Sequence, residues 1–274
     1  MTETSSLKLE TWKNLPILQI RNDAAEAKIA LHGAHVLSYR PAGEREVLWL
    51  SEESWAEPGK PIRGGIPVCW PWFGPAQEPA HGVARINEWA LKESASEAAE
   101  TVVKFEAFAY ENLIADVTVT VADKLTVELT TTNLGPDDFR LTQALHSYFG
   151  ISNISSIRIL GLDGAEYIDT LNSTRHHQDG PIDFRAETDR IYDHSAAECI
   201  IDDPAYEKKI HVAKEGSMST VVWNPWVAKS RRLPDFGDRE YNGMVCIESA
   251  NVGNDFRILK AGEKQTLKTI ISLV

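Results

Sequence analysis

Cysteine is scarce in this sequence and follows no recognisable pattern. The three cysteines lie far apart in 274 residues, and none belongs to a CxxC pair. This spacing argues against both a disulfide framework and a cysteine-rich zinc site. The histidines offer no clear alternative, because no carboxylate stands at a recognisable ligand spacing from His32, His35, His176 or His177. We therefore predict that the protein binds no metal ion.

Long apolar runs and an excess of positive charge are also missing. No run approaches the ~20 apolar residues that span a bilayer, and the first residues lack the basic and apolar regions of a secretory signal. The net charge of -12 argues against nucleic acid as a general partner. We expect a cytoplasmic monomer without membrane or nucleic-acid partners, in which any anion site is built locally from a few basic residues.

Helical periodicity is almost absent, and its only signal is a short turn at residues 51–56. Alternation of apolar and polar residues dominates instead. Residues 117–121 and 125–129 alternate on either side of a break at 122–124, which predicts a hairpin of two half-buried strands. Similar runs occur at 15–20, 28–39, 89–92, 101–108, 140–148, 157–162, 197–201, 208–212, 219–223, 244–248 and 266–273. The pattern predicts an all-β protein, a large antiparallel β-sandwich that forms one domain over residues 1–274.

One loop stands out from this pattern. Residues 63–74 read RGGIPVCWPWFG, with two prolines, three glycines and two tryptophans. Such a composition disfavours a helix or an ordinary paired strand. The segment HGVAR follows at 81–85, so two arginines and a histidine lie on irregular backbone beside aromatic residues. This arrangement predicts a pocket for a polar, anionic small molecule.

Three further residues are candidates for chemistry, each with a structural alternative. His146 stands in a strand-like segment where alternation places Ala144, His146 and Tyr148 on one face, and a lone histidine there is more often a structural residue than a catalytic one. Glu248 ends an apolar strand, which marks either a site or a salt bridge. Asp189 could cap a turn or pair with Arg190.

Together, the ordered segments resemble the hexose-6-phosphate mutarotases, or glucose-6-phosphate 1-epimerases, of the aldose 1-epimerase (galactose mutarotase-like) superfamily. The matching segments are KPIRGGIP at 60–67, HGVAR at 81–85, ALHSYF at 144–149, TDRIY at 188–192, VWNPW at 222–226 and IESA at 247–250. The resemblance implies a β-supersandwich whose concave sheet face carries the site. It also implies an isomerase that acts on hexose 6-phosphates.

The resemblance assigns roles to individual residues. It implies that His146 and Glu248 are catalytic, that Asp189 binds the sugar, and that Arg63 and Arg85 are the arginines of the family's motifs. We expect His81, Trp72 and Trp223 to bind the substrate as well. One position departs from the family, because relatives can carry a glutamine immediately before the histidine of HGxAR, and Ala80 stands there. Gln77 is three residues away and is the candidate to replace it.

The implied reaction interconverts α and β anomers by opening the sugar ring, without a cofactor. Glu248 would act as the base at the C1 hydroxyl and His146 as the acid at the ring oxygen, each typically contributing ~10²–10⁴-fold. We expect Glu248 to be ionised and His146 protonated at rest, because the two charges attract. Arg63 and Arg85 would clamp the 6-phosphate, and Asp189 would accept hydrogen bonds from sugar hydroxyls. Trp72, Phe73 and Trp223 would face the apolar side of the sugar, and packing of the loop is the alternative role for these aromatic residues.

Other functions remain open on the sequence alone. The protein could be a mutarotase of unphosphorylated aldoses, such as glucose or galactose. It could also be a non-catalytic protein that binds phosphosugars, or a metal-dependent sugar isomerase. Comparing the rate of anomer interconversion for glucose 6-phosphate with that for glucose tests the first alternative. Binding of a phosphosugar without acceleration of this interconversion would establish the second.

Overall fold

A computed structural model describes residues 6–274, and β-strands account for most of its regular structure. The strands are, in chain order, β1 (Ser6–Trp12), β2 (Leu15–Arg21), β3 (Ala25–Ala30), β4 (His35–Pro41), β5 (Val68–Cys69), β6 (Leu91–Ser96), β7 (Thr101–Phe105), β8 (Phe108–Tyr110), β9 (Leu113–Val121), β10 (Leu125–Asn133), β11 (Phe139–Leu141), β12 (Gln143–Leu145), β13 (Tyr148–Gly150), β14 (Arg158–Leu160), β15 (Glu166–Asp169), β16 (Thr174–His177), β17 (Thr188–Tyr192), β18 (Cys199–Asp202), β19 (Ile210–Glu215), β20 (Ser219–Asn224), β21 (Met244–Asn251), β22 (Arg257–Leu259) and β23 (Lys264–Leu273).

Helices are few and short in the described chain. The α-helix α1 (Trp226–Ser230) has five residues, and three 3-10 turns cover Ala84–Ile86, Glu240–Gly243 and Gly253–Asp255. Residues 51–56 form a single turn rather than a helix, with the amide of Ser54 donating to the carbonyl of Ser51. Within residues 6–274 no helix is long and apolar enough to cross a membrane.

Side-chain alternation along β9 and β10 accounts for the centre of the sandwich. Val117 pairs with Leu129, and Val119 pairs with Val127, so the apolar residues of both strands share one buried face. The amide of Ala122 donates to the carbonyl of Lys124 and closes the turn. The predicted hairpin is confirmed, and its alternation is what a strand with one buried face requires.

The strands form three large antiparallel sheets and one ribbon. A meander β1-β2-β3-β4 makes a four-stranded sheet, and a nine-stranded sheet runs β14-β18-β19-β23-β10-β9-β7-β6, with β8 paired to β9. An eight-stranded sheet runs β16-β15-β17-β20-β21-β12-β5, with β13 paired to β21, and β11 pairs with β22. The predicted all-β, antiparallel sandwich is confirmed. One buried cluster includes residues from all three large sheets, as the single-domain prediction requires.

The eight-stranded sheet has one face toward the core and one toward the candidate site. On β21, Val245 and Ile247 belong to the main core cluster, whereas Cys246 belongs to a separate cluster with Tyr148 and Trp223. Successive residues of a strand point to opposite faces. Glu248 therefore follows Cys246 onto the face that lies away from the core.

Several predicted runs are interrupted in the structure. Residues 28–39 belong to two strands separated by a turn, and residues 140–148 contribute to β11, β12 and β13. The segment 63–74 is mainly irregular, but it contains β5, which pairs with β12. The sequence pattern did not reveal these breaks because buried residues continue through them, so hydrophobicity alone does not mark the ends of the strands.

Candidate active site

His146 lies in the gap between β12 and β13, where two loop carbonyls set its backbone. The amide of His146 donates to the carbonyl of Pro67 over 3.0 Å, and the amide of Tyr148 donates to the carbonyl of Gly65 over 2.9 Å. Ala144, His146 and Tyr148 share the face predicted from alternation, because the rings of His146 and Tyr148 stack and Ala144 packs outside the main core. The RGGIP loop thus fixes the backbone on either side of His146 by hydrogen bonds.

Glycine is required where this loop meets the first sheet. Gly65 has a φ of +60°, and a Cβ there would lie 2.1 Å from the carbonyl oxygen of Val36. Gly82 has the same property in the HGVAR segment, where a Cβ would lie 2.0 Å from the carbonyl oxygen of Trp70. Only glycine adopts this conformation without a Cβ clash. Both loops can therefore approach the sheet closely enough to bring their side chains to one cavity.

His146 and Glu248 form a buried pair in this cavity. Nε2 of His146 lies 3.2 Å from Oε1 of Glu248, and the two side chains are 9% and 1% exposed. Nδ1 of His146 and Oε2 of Glu248 have no hydrogen-bond partner among the described residues. The pair supplies an acid and a base in contact, each with one polar atom uncommitted.

Burial disfavours the charged form of both members of this pair, which opposes the expected ion pair. Burial lowers the pKa of His146 well below its ordinary value, and the neighbouring His81, Arg63 and Arg85 lower it further. Burial, followed by Asp189, raises the pKa of Glu248 well above its own. Burial thus favours the neutral form of each group. Mutual attraction was expected to dominate, but the sequence does not show how completely both groups are removed from water.

A cavity of about 740 Å³ opens above the pair. Seven of the eight predicted site residues line it, namely Arg63, His81, Arg85, His146, Asp189, Trp223 and Glu248. Trp72 is not among the lining residues. Its indole N–H donates to the carbonyl of Pro79 over 2.9 Å, and its ring packs edge-on against Tyr110. Trp72 therefore packs within its own loop and against Tyr110, whereas Phe73 lines the cavity.

The two predicted arginines differ in their partners. Arg63 donates from Nε and Nη2 to the two carboxylate oxygens of Asp235, both over 3.2 Å, and from Nη1 to the hydroxyl of Tyr148 over 3.1 Å. Arg85 donates from Nη2 to the carbonyl of Ala80, and its buried Nε has no partner. Among residues 6–274 no carboxylate forms a salt bridge with Arg85. Arg85 is therefore a half-buried cation of the cavity whose charge is not balanced by a carboxylate partner.

His81 is held as a neutral ring beside the His146–Glu248 pair. Its Nδ1 accepts a hydrogen bond from the amide of Gly74 over 3.3 Å, and its ring centroid lies 6.0 Å from that of His146. Burial, followed by the charge of Arg85, lowers the pKa of His81 to about 3. Since Nδ1 accepts, Nε2 carries the hydrogen and is a fixed donor.

Asp189 lies across the cavity, beside a lysine that the sequence analysis did not identify. One carboxylate oxygen of Asp189 is 3.7 Å from Nζ of Lys229, which also pairs with Glu187 over 3.2 Å. Burial raises the pKa of Asp189. Trp223 is 7% exposed, and its ring meets that of His146 edge-on at 6.0 Å. A carboxylate and an aromatic face are thus available to a sugar.

Sequence reasoning missed four residues of this region: Tyr148 as a contact of His146, and Asp235, Lys229 and Arg140. Lys229 and Arg140 line the cavity, but neither stands in a motif that marks it. Asp235 lies 172 residues from Arg63, and no local pattern links such a pair. Gln77 is exposed and does not line the cavity, so it does not take the place of the glutamine that Ala80 replaces.

The described residues contain no group of three or more histidine, cysteine or acidic side chains that could hold a metal ion. Nε2 of His32 bonds to the carbonyl of Lys60, and Nε2 of His35 bonds to the carbonyl of Gly64. These histidines therefore support the loop backbone. His176 and His177 lie on the exposed edge strand β16.

Comparison with known proteins identifies the family of this chain. The aldose 1-epimerase family model matches residues 16–272. The chain belongs to the aldose 1-epimerase family. It is 36% identical over 257 residues to an Escherichia coli K12 protein named "putative glucose-6-phosphate 1-epimerase", with 90% of this chain and 86% of that protein covered. The resemblance to this family is confirmed, and with it the prediction that the protein is an isomerase.

Solved structures of the aldose 1-epimerase family share the fold. The structure of a protein described as a mutarotase from Salmonella typhimurium superposes with a TM-score of 0.90 at 31% identity, covering 98% of this chain and 93% of that one. A galactose mutarotase-like protein from Clostridium acetobutylicum superposes with a TM-score of 0.74 at 14% identity, covering 99% of both chains. At that identity the second match shows the fold alone. The predicted galactose mutarotase-like architecture is thus confirmed.

Proposed function

We propose that this protein interconverts the α and β anomers of hexose 6-phosphates, with Glu248 as base and His146 as acid. The contact between His146 and Glu248 at the floor of a cavity that also contains an uncompensated arginine carries this proposal. The name of the Escherichia coli relative supports the phosphorylated substrate. The reaction requires proton transfers and bond rotation, so the chain's own side chains suffice.

The neutral pair reaches its catalytic form by an internal proton transfer. The proton of the Glu248 carboxyl moves to Nε2 of His146, which gives a carboxylate and an imidazolium without a change in net charge. The carboxylate takes the proton of the C1 hydroxyl, while the imidazolium protonates the ring oxygen and the C1–O5 bond breaks. Rotation about C1–C2 exposes the other face of the aldehyde, and the reverse transfers close the ring and restore both groups.

The two arginines bind the phosphate group of the substrate in this proposal. Arg63 has five N–H donors, of which three are used by Asp235 and Tyr148, so two remain for substrate. Its charge is already balanced by Asp235. Arg85 is not balanced in this way, and a phosphate dianion gains most from a cation that lacks a carboxylate partner. We assign the charge of the phosphate chiefly to Arg85, with Arg63 as a pre-oriented donor.

The sugar ring lies between Asp189 and Trp223 in this proposal. The carboxylate of Asp189 accepts hydrogen bonds from hydroxyl groups, and Lys229 keeps it oriented from 3.7 Å away. The face of Trp223 offers an apolar surface to the C–H side of the ring. His81 donates from Nε2 to an oxygen near the reacting end.

Two-dimensional exchange NMR tests the proposal directly. The rate of α/β interconversion is measured with glucose 6-phosphate, galactose 6-phosphate and mannose 6-phosphate, and with unphosphorylated glucose, above the spontaneous rate. We expect acceleration for at least one phosphosugar and a lower kcat/KM for glucose. Equal acceleration of glucose would establish a general aldose mutarotase, and binding without acceleration would establish a non-catalytic phosphosugar-binding protein.

A further inference from the structure

The imidazole of His146 has few polar contacts that could orient it. Its Nδ1 has no partner from another described residue, and its Nε2 contacts only Glu248. Catalytic histidines usually have one nitrogen fixed by a hydrogen bond that sets the ring orientation. In the proposed reaction Glu248 turns to the C1 hydroxyl, so its contact with Nε2 is then lost. Another group must keep the ring in place during the proton transfer.

Tyr148 provides the largest contact with that ring. The phenol and imidazole centroids are 4.7 Å apart and the planes differ by 11°, which is a face-to-face stack. Trp223 meets both rings edge-on, with centroids 6.0 Å from each. An imidazole held in this way cannot rotate about its Cβ–Cγ bond without leaving the stack. Ring packing therefore takes the place of the missing hydrogen bond.

Tyr148 is itself fixed from the opposite side. Its hydroxyl accepts a hydrogen bond from Nη1 of Arg63 over 3.1 Å, and both oxygens of Asp235 bind the same guanidinium. Asp235 is 2% exposed, and Trp49 stacks on the phenol ring at a centroid distance of 5.7 Å. A continuous set of contacts thus runs from Asp235 through Arg63 and Tyr148 to His146.

We propose that Tyr148 is a positioning residue that keeps the imidazole of His146 in its reactive orientation, and that Asp235 acts through Arg63 to hold Tyr148. The inference rests on the proposed catalytic role of His146. It assigns Arg63 two tasks, because the guanidinium that faces the substrate also anchors the ring that carries the acid. Substrate binding and alignment of the acid are thereby linked through one side chain.

Two substitutions at Tyr148 separate stacking from the hydroxyl bond. Tyr148→Phe keeps the ring, so kcat should stay within about fivefold of the parent. Tyr148→Leu keeps a bulky apolar side chain but removes the stack, so kcat should fall by about 30- to 100-fold while KM changes by less than about threefold. The matched control is Tyr192→Phe, which removes a buried hydroxyl bonded to Gln178, a residue that does not line the cavity. A folded Tyr148→Leu protein with kcat within about threefold of the parent would overturn the proposal.

NMR of the histidine rings gives a readout that does not depend on turnover. The ring protons of His146, assigned with a His146→Asn sample, should carry large ring-current shifts in the parent and in Tyr148→Phe. In Tyr148→Leu these shifts should collapse toward ordinary values. Unchanged shifts would contradict the positioning role even if the proposed reaction is correct. Loss of the shifts without any catalysis in the parent would instead contradict the proposed function alone.

Asp235→Asn tests the outer part of the same set of contacts. It should lower kcat by about two- to fivefold, and by no more than Tyr148→Phe does, because Arg63 then holds the phenol less firmly. Asp193→Asn is the matched control, since Asp193 is a buried carboxylate that forms a comparable two-point contact with Arg175, over 3.3 and 3.1 Å. Equal effects of the two substitutions on kcat would overturn the role assigned to Asp235.

Discussion

Nε2 of His146 lies 3.2 Å from Oε1 of Glu248, and both side chains are almost completely buried. Burial disfavours charge on either group, and the short distance allows a proton to pass directly between them. A pair of this kind can exchange its acid and base roles without taking a proton from solvent. This suits a reaction in which one proton is removed and another is delivered on the same substrate.

Removal of either member of the pair should abolish catalysis without unfolding the protein. His146→Asn and Glu248→Gln preserve approximate size and polarity but cannot carry out the proton transfers, so each should reduce kcat by at least about 100-fold. Exchange NMR on glucose 6-phosphate measures the loss, and circular dichroism checks the fold. His176→Asn and Glu166→Gln, on exposed strands, are the controls. Near-parental turnover in either cavity variant would refute the assignment.

Arg85 should distinguish phosphorylated from free sugars. Arg85→Ala should raise KM for glucose 6-phosphate by about 10- to 100-fold, as expected from the loss of a charge-assisted hydrogen bond. KM for glucose should change by less than about threefold, because no phosphate is present. Steady-state exchange measurements with both sugars provide the comparison. Arg158→Ala, at an exposed guanidinium paired with Asp183, is the control, and an equal effect on both sugars would exclude the phosphate role.

The buried histidines should make the fold less stable in mild acid. Burial lowers the pKa of His35 and of His81 to about 3 from an ordinary 6.5. Below pH 6.5 each of the two histidines takes up a proton in the unfolded chain but not in the folded chain. The free energy of unfolding is therefore unaffected by them above that pH and falls as the pH drops toward 3. At pH 5 each histidine should reduce the free energy of unfolding by about 2 kcal/mol.

His81→Asn isolates this contribution of His81. Asparagine tolerates the positive φ of 64° at this position and has no titrating group. Urea unfolding at pH 7 and pH 5 should therefore show a smaller loss of stability in the variant than in the parent, by about 2 kcal/mol. Parallel losses in the two proteins would show that His81 is protonated in the folded state.

Alanine substitutions at two glycines with similar backbone conformations distinguish backbone strain from a steric clash. Gly65 and Gly43 have φ of +60° and +75°, but a Cβ on Gly43 would meet nothing within 4 Å. Alanine at Gly43 should cost only the unfavourable φ, about 1 to 2 kcal/mol, whereas at Gly65 it also meets the carbonyl of Val36. Gly65→Ala should cost more than about 4 kcal/mol, measured by thermal unfolding. Similar melting temperatures would disprove the close approach.

Much of the fold is visible in the sequence, because strand alternation is a local property. The hairpin of β9 and β10 and the shared face of Ala144, His146 and Tyr148 were predicted from period two alone. The breaks that divide residues 140–148 into three strands were not, since buried residues continue through them. The helix α1 also lies outside the pattern, because five residues are too few to show a helical period.

For the candidate site too, some features follow from the sequence and others only from the tertiary structure. Residue types and their order in the chain determined a β-sandwich, a family and a set of site residues, seven of which meet in one cavity. Tertiary structure decided the rest: Trp72 turns away to Pro79, Arg63 is held by Asp235, and burial opposes charge on both His146 and Glu248. Each outcome depends on neighbours distant in sequence and on exclusion of water. Local patterns report which residues are present, but the free energy of a charge depends on everything packed around it.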